Sequence, residues 1–484
     1  MHDELIDNQN NEPDGGGLTR DRAAVLDKLP PPWPEEVISG IREHNTRANH
    51  SLVVLDDDPT GTQTVYDVPV LTTGSTEALR EEFARATPLF YILTNSRALP
   101  ADQARALNQE LATNLLHASR ATGRAFSVYS RSDSTLRGHF PLETDTLAEV
   151  LGGYDRLILC PYFAAGGRLT IDDIHYVAEG DQLIPAAQTP FAQDAAFGFK
   201  NSQLRAWVEE KSGGKIPAAS VASLSLERIR GEGPDGVAEY LQSLPKGAVC
   251  ILNAVIPEDV EVAAAGILQA EASGIRFLYR GAAQLVAALG GIRSNQLLPP
   301  EKIRRQSTQG GLTVVGSYVA KTATQLETLQ STLDLPGFTL DVPALLEAQD
   351  PNALISALMR EVNRELNAGR DCILATSRQL IRAETPEQSL AIGQKVSDAM
   401  VACVRQLAEP PAYLIAKGGI TSSDIATKAL GIERAMVQGQ LLPGVPVWRT
   451  GTESRYPGIS YVIFPGNVGD ANALAEAVLS LRKK

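Results

Sequence analysis

Ser51-Leu52-Val53-Val54-Leu55 runs straight into Asp56-Asp57-Asp58-Pro59-Thr60-Gly61-Thr62-Gln63. Five leucine, β-branched and small residues with no polar alternation predict a strand buried on both faces. The strand stops where three carboxylates stand side by side. Adjacent acids repel one another, and burial raises their pKa values. An acidic cap on a surface turn would account for them without function. The strand-end position and the following Pro-Thr-Gly turn argue otherwise, because open α/β sheets hold their ligands at the carboxyl ends of strands. A general base, a metal-linked carboxylate or an acceptor for ligand hydroxyls would each suit the position.

Working outward, similar apolar runs at 68–71, 89–93, 125–129, 157–159, 249–252 and 275–279 read as further strands. Helical periodicity at 76–86, 101–122 and 141–151 separates several of them. Strand, helix, strand is the signature of a mostly parallel sheet covered on both faces. Pro34-Glu35-Glu36-Val37 reads as a helix start. The pattern breaks at 292–310, where a proline pair, polar residues and the cations Lys302, Arg304 and Arg305 suggest a linker. Strands at 311–315, 373–375, 412–416 and 461–464 then alternate with helices at 352–366, 389–407 and 471–481. The fold class is therefore α/β: two mostly parallel-sheet α/β domains with the active site in the cleft between them. The expected division is a disordered tail over 1–30, a first domain over 31–295 and a second over 296–484. Gly231-Glu232-Gly233-Pro234-Asp235-Gly236 matches G-x-G-x-x-G literally, but acids stand where a pyrophosphate would lie, so it is read as a loop.

With 484 residues and 43% apolar composition there is ample chain for two cores. The 44 Lys and Arg against 57 Asp and Glu leave a net charge of −13. Such a surface repels polyanions, which excludes nucleic acid and anionic membranes as partners but not a small anion in a local basic pocket. No apolar run approaches a membrane span. The four cysteines, Cys160, Cys250, Cys372 and Cys403, fit neither a zinc pattern nor a disulfide framework, so a reduced, cytoplasmic protein is expected.

Two further strand ends carry chemistry. Ser130-Arg131-Ser132-Asp133-Ser134-Thr135-Leu136-Arg137-Gly138-His139 offers two arginines among small hydroxyl residues, suited to gripping a carboxylate or phosphate bidentately. Asn95-Ser96-Arg97 has the same character, and Arg168 in Gly166-Gly167-Arg168 is a weaker candidate. His139 and His175 lack metal-ligand spacing and read as ordinary hydrogen-bonding residues. In the second half, turns at Gly316-Ser317, Lys417-Gly418-Gly419-Ile420-Thr421 and Phe464-Pro465-Gly466-Asn467-Val468-Gly469 each link a strand to a helix. Backbone amides at such junctions suit phosphate, and three in one domain suggest a nucleotide.

Together these motifs resemble the four-carbon acid sugar kinases, from about residue 52 to the C-terminus. The family's D-D-x-T-G falls on Asp57, Asp58, Thr60 and Gly61, and its K-x-D-S-T-L-R-G on Arg131 and Asp133 to Gly138. Its G-R-x-T falls on Gly167, Arg168 and Thr170. Its G-S falls on Gly316 and Ser317, its G-G-x-T on Gly418, Gly419 and Thr421, and its G-N-x-G on Gly466, Asn467 and Gly469. The resemblance implies ATP-dependent, Mg2+-assisted phosphorylation of the terminal hydroxyl of a threonate, erythronate or 3-oxo-tetronate. Asp57 or Asp58 would be the base. Thr60, Asn95, Arg131, Asp133, Ser134, Arg137 and Arg168 would bind the acid. Ser317, Gly418, Gly419, Ile420, Thr421, Gly466 and Asn467 would bind the nucleotide. No metal ligand is assigned, and a homodimer is compatible with the sequence. The stretch 182–208 is longer than the resemblance leads one to expect. Two rival readings stand beside it. Asp56-x-Asp58-x-Thr60 also fits the nucleophile turn of haloacid-dehalogenase-like phosphohydrolases, with Asp172-Asp173 as the paired acids. Two α/β lobes around a cleft would also suit a non-catalytic protein that binds a sugar acid.

Overall fold

The computed structural model describes residues 18–293, 297–316, 320–377, 386–466 and 468–482, without the side chains of 320 and 386–390. Ser317 and Asn467 lie outside the described residues. The first half contributes β1 (Arg20–Asp21), β2 (His50–Asp56), β3 (Val68–Leu71), β4 (Leu89–Leu93), β5 (Ala125–Arg131) and β6 (Arg156–Cys160). It adds β7 (Arg168–Ile171), β8 (Ile174–Glu179), β9 (Gln182–Pro185), β10 (Ala222–Leu224), β11 (Ala248–Leu252) and β12 (Phe277–Gly281). The second half contributes β13 (Leu312–Val315), β14 (Gly337–Leu340), β15 (Cys372–Thr376), β16 (Leu414–Lys417), β17 (Arg434–Leu442), β18 (Val445–Thr450) and β19 (Ser460–Phe464).

One 15-stranded sheet runs through both halves in the order β10-β11-β6-β12-β5-β2-β4-β3-β17-β18-β19-β16-β13-β15-β14. From β10 to β3 every neighbouring pair is parallel, as is every pair from β19 to β14. The strands are buried on both faces, as a helix-covered parallel sheet requires: Val53, Val54, Phe90, Tyr91, Ile373 and Ile415 are all fully enclosed. Between the two parallel blocks, β3-β17, β17-β18 and β18-β19 are antiparallel. The parallel blocks therefore run in opposite directions along the sheet. Right-handed twist of roughly 20–25° per strand accumulates to roughly 120–150° over the six steps from β2 to β16. That rotation turns the two sets of carboxyl ends toward a common side.

The α/β class and most elements match the reading of the sequence; the helix expected over 101–122 is Ala101–Thr122. Four features depart from it. A separate antiparallel sheet, β1-β9-β8-β7, stands on the first half. Within the expected tail, β1 pairs with β9 and a short helix follows at Arg22–Leu26. The joining strands β17 and β18 escaped notice because Gly439 and Pro446 interrupt their apolar pattern and bulges break their register. Finally, the G-x-G-x-x-G match is not a loop but part of the helix Leu226–Ser243. It kinks at Gly233 (φ 64°), where the Trp33 ring occupies the space a side chain would need.

The turn after β2, a 3-10 helix over Pro59–Thr64, packs against both halves. Thr62 Oγ1 accepts from Trp448 Nε1 of β18 at 2.9 Å, and Thr64 Oγ1 donates to Ala283 O at 2.9 Å. Nearby, Arg434 at the start of β17 pairs with the fully buried Glu82 at 2.9 Å. Gly61 lies over Asp56: a Cβ there would sit 2.1 Å from Asp56 Oδ1. Gly61→Ala is therefore expected to lower stability by about 1–3 kcal/mol through overpacking, read as a fall in thermal midpoint. An unchanged midpoint would contradict this packing.

Candidate active site

The parallel ladder places Arg131 beside Asp56, because β2 and β5 pair in register at those positions. Arg131 Nη1 lies 3.1 Å from Asp56 Oδ1 and 3.3 Å from Asp57 Oδ1. Arg97, on the turn after β4, is the second counter-ion: it pairs with Asp58 and lies 3.9 Å from Asp57 and 3.7 Å from Asp133. Arg137 Nε holds Asp133 at 2.7 Å, and its Nη1 approaches Asp194 at 3.6 Å. Beneath these groups Arg280, at the end of β12, joins Glu143 and Ser130 in a buried cluster.

The three adjacent acids have three different environments. Asp56 is sealed under Gly61 and does not line the cavity; burial pushes its carboxyl up to about 7 against the pull of Arg131. Asp57 is 3% exposed, and its Oδ2 has no hydrogen-bond partner. Burial pushes it up to about 6, with Arg97 and Arg131 restraining the rise. For Asp58 burial acts the same way, but Arg97, Arg131 and two bonds from Thr60 (N at 2.9 Å, Oγ1 at 2.6 Å) outweigh it and hold the carboxyl below its ordinary value. Asp133 is likewise held well down: burial is outweighed by Arg97, Arg137 and Thr135.

A cavity of about 1460 Å³ opens over these groups. A single drug-sized ligand occupies about 300–1,000 Å³, so the space suits two ligands. It collects the predicted residues Asp57, Asp58, Thr60, Asn95, Arg131, Asp133, Ser134, Arg137 and Arg168 from the first half. From the second half it collects Gly418, Gly419, Ile420, Thr421 and Gly466, with Gly316 beside them. The turns of the second half touch one another and the acids. A Cβ on Gly316 would meet Thr421 Oγ1 at 2.4 Å, and one on Gly419 would lie 3.1 Å from Asp58 Oδ2. Asn95 Nδ2 donates to Ser423 Oγ at 2.5 Å across the cavity.

Arg168 differs from the other arginines. Among the described residues no carboxylate lies within ion-pair distance of it, its buried Nε has no partner, and burial lowers its pKa. Its guanidinium stacks on Phe191 at 5.4 Å, and that of Arg137 on the same ring at 5.1 Å. Phe191, Asp194 and Phe197 line the cavity and come from the unassigned stretch 182–208. Nothing local in the sequence distinguishes cavity-facing phenylalanines such as Phe191 and Phe197 from core ones, whereas Asp194 stands at a position that resembles the family's. Arg97 belongs to the Asn95-Ser96-Arg97 strand end but not to the residues that the resemblance assigns to the acid. Arg280 carried a weak signal, an arginine closing the apolar strand Phe277–Gly281.

His139 and His175 have structural bonds, to Ser96 O and Leu99 O and to Thr170 Oγ1 and Ser134 O respectively. The phosphohydrolase reading fails on geometry. Asp56, its would-be nucleophile, is walled off. Asp173, one of its paired acids, is engaged by Arg205, Asn253 and Ser223, and neither it nor Asp172 lines the cavity. Among the described residues no group of three His, Cys, Asp or Glu could cage a metal ion, and no helix is long and apolar enough to cross a membrane. A second cavity of about 600 Å³, lined by His44, Glu271 and Tyr279 among others, contains none of these site groups.

Residues 52–289 match the model of a sugar-binding N-terminal domain and residues 312–474 that of a nucleotide-binding C-terminal domain. A 3-oxo-tetronate kinase of Methylobacterium radiotolerans is 26% identical over 408 residues, covering 82% of this chain and 91% of the relative. A D-erythronate kinase of Heliobacterium modesticaldum is 25% identical, covering 73% and 72%. A D-threonate kinase of Salmonella typhimurium is 24% identical, covering 88% and 97%. A solved Haemophilus influenzae protein of the DUF1537 family shares the fold with a TM-score of 0.62 at 18% identity, covering 89% of this chain and all of that one.

The bond across the cavity gives a direct check on its geometry. Ser423→Ala is expected to lower stability by about 0.5–1.5 kcal/mol, the net value of one hydrogen bond. Asn95→Ala should cost about 1–2 kcal/mol more, because Asn95 holds a left-handed backbone (φ 51°) that asparagine tolerates better than alanine. Equal losses in denaturant titrations would contradict the placement of Asn95.

Proposed function

The chain belongs to the four-carbon acid sugar kinase family, and from that membership we propose that it transfers the γ-phosphoryl group of ATP to the terminal hydroxyl of a four-carbon acid sugar of the threonate, erythronate or 3-oxo-tetronate type. The observation that carries the reading is Asp57, buried, with its Oδ2 in no hydrogen bond, lining the same cavity as the glycine turns of the second half. In this reading the sugar acid lies on the first domain (31–295) and the nucleotide on the second (296–484).

Arg168, which forms no ion pair among the described residues, takes the substrate carboxylate, assisted by Arg137 across the Phe191 ring. Thr60, Asn95, Asp133 and Ser134 meet the hydroxyls, and Arg131 serves mainly to keep Asp56 and Asp57 tolerable in burial. The terminal hydroxyl gives its proton to Asp57 as its oxygen bonds to the γ-phosphorus; the bond to the β-phosphate oxygen breaks and ADP leaves. Asp57 suits the base better than Asp58, since a base works best with a pKa near the operating pH. Amides of 418–421 and 466–469, with Ser317 and Asn467, receive the phosphates. Mg2+ carried by the nucleotide would supply neutralisation of the charge that develops on the phosphates. Positioning and charge neutralisation supply most of the rate in such transfers.

A coupled ADP-release screen over tetronates and related acids with Mg-ATP tests the reading. Acceptor-dependent ADP supports it; phosphate released without added ATP, or no ADP with any acid, contradicts it. Asp57→Asn is expected to lower kcat by about 10²–10⁴-fold, the usual worth of a general base, with ATP affinity nearly unchanged. Because the base must be ionised, kcat/KM should fall below a pH of about 6 and level off above it. Arg97→Ala should shift that limb upward by removing a charge that favours the carboxylate. Arg168→Ala should raise KM for the acid by about 10–100-fold, as expected for a charged hydrogen bond of about 1.5–3 kcal/mol, leaving KM for ATP in place.

A further inference from the structure

Lys417 closes β16 immediately before the Gly418-Gly419 turn, yet it does not line the cavity. Its side chain is 0% exposed. Nζ donates to Pro465 O at 2.5 Å and to Gly466 O at 3.2 Å, and it lies 4.4 Å from the centre of the Phe464 ring. Among the described residues no carboxylate lies within ion-pair distance of this amine. A buried cation without a counter-ion is unfavourable, so its retention beside a glycine-rich turn requires an account.

The carbonyls supply one. Pro465 O and Gly466 O turn inward onto Lys417, and Thr322 Oγ1 also donates to Gly466 O at 3.2 Å. Gln325 Nε2 draws Val468 O and Asp470 O inward at 3.0 and 2.6 Å. In a planar trans peptide the N–H of the next residue points opposite to the carbonyl. Pulling the oxygens of Pro465 and Val468 inward therefore aims the amides of Gly466 and Gly469 outward, and both glycines line the cavity. Three interior side chains, those of Lys417, Thr322 and Gln325, thus set the direction of the peptides that carry the Gly466 and Gly469 amides.

Resting on the kinase reading, we propose that Lys417 is a positioning residue for the nucleotide: it fixes the Pro465–Gly466 peptide from behind so that the Gly466 amide meets phosphate, and its buried ammonium supplies the counter-charge when a phosphate settles there. Burial, and secondarily Lys321, pushes the free amine down to about 7. The other charged groups on the elements packed around it are Asp424, which is engaged by Lys428 and Ser397, Asp470 on the turn, and Asp58 across the cavity. At pH 8 the empty protein then holds Lys417 mostly neutral, and a phosphate on the turn favours the charged form. Nucleotide binding should take up a proton that comes from the buffer.

Calorimetric titration of the whole chain with Mg-ADP at pH 8, in buffers of different ionisation enthalpy, counts that proton. Wild type is expected to take up a large fraction of one proton per nucleotide. Lys417→Met should abolish the uptake and weaken Mg-ADP binding tenfold or more, while tetronate binding stays within twofold. Thr322→Val, which removes one inward bond and keeps the amine, should weaken nucleotide binding a few-fold and retain the uptake. If wild type binds Mg-ADP with no proton uptake, the inference is overturned even if Lys417→Met fails to fold. Uptake that persists in Lys417→Met overturns it equally. A wild-type chain that binds no nucleotide at all refutes the kinase reading, and the inference with it.

Discussion

Everything in this site depends on keeping three adjacent carboxylates at the end of a buried strand. Asp56, Asp57 and Asp58 cannot be left together in a low-dielectric interior without compensation. The register of β5 on β2 delivers Arg131 to the first two, and the turn after β4 delivers Arg97 to the second and third. Removing one partner of a buried pair costs about 3–5 kcal/mol because the other charge stays behind. Compensation is deliberately uneven. Asp58 is fully engaged, Asp56 is sealed away, and Asp57, which lines the cavity, keeps one oxygen out of any hydrogen bond. Identical neighbours in sequence thereby acquire different chemical roles.

The second constraint is topological. The acids belong to one parallel block and the glycine turns to another that runs the opposite way. The antiparallel strands β17 and β18 make a single twisted sheet out of the two blocks. The Pro59–Thr64 turn is wedged at their junction by Trp448 and the backbone of Ala283. The acids and the Gly418–Thr421 turn consequently meet within one cavity, with Asp58 against Gly419. Phosphoryl transfer needs that kind of fixed juxtaposition more than it needs any single reactive group.

Much of this was legible in the residues. Parallel strands announce themselves as unbroken apolar runs, and strand-end clusters such as 56–63 and 130–139 stand out because charged and hydroxyl residues abruptly follow those runs. All the cavity residues chosen from sequence that fall within the described part do line one cavity. What was not legible follows from physics that sequence patterns do not carry. β17 and β18 hide because glycine, proline and bulges spoil their periodicity. Phe191 reaches the site only through the fold of 182–199, and apart from the G-R-x-T match nothing in the sequence tells Arg168 from a surface arginine. The reach of Lys417 to the 465–466 carbonyls required knowing that β16 and β19 are neighbours.

The central claim is that Asp57 Oδ2 and the glycine turns address the two reacting groups across one cavity. A crystal structure of the protein with a tetronate, Mg2+ and a non-hydrolysable ATP analogue tests it most directly. The account predicts the terminal hydroxyl within about 2.6–3.2 Å of Asp57 Oδ2, the acid's carboxylate on Arg168, and the phosphates on the 418–421 and 466–469 turns. A tetronate carboxylate at Asp57's end of the site, or a nucleotide bound away from those turns, would contradict it.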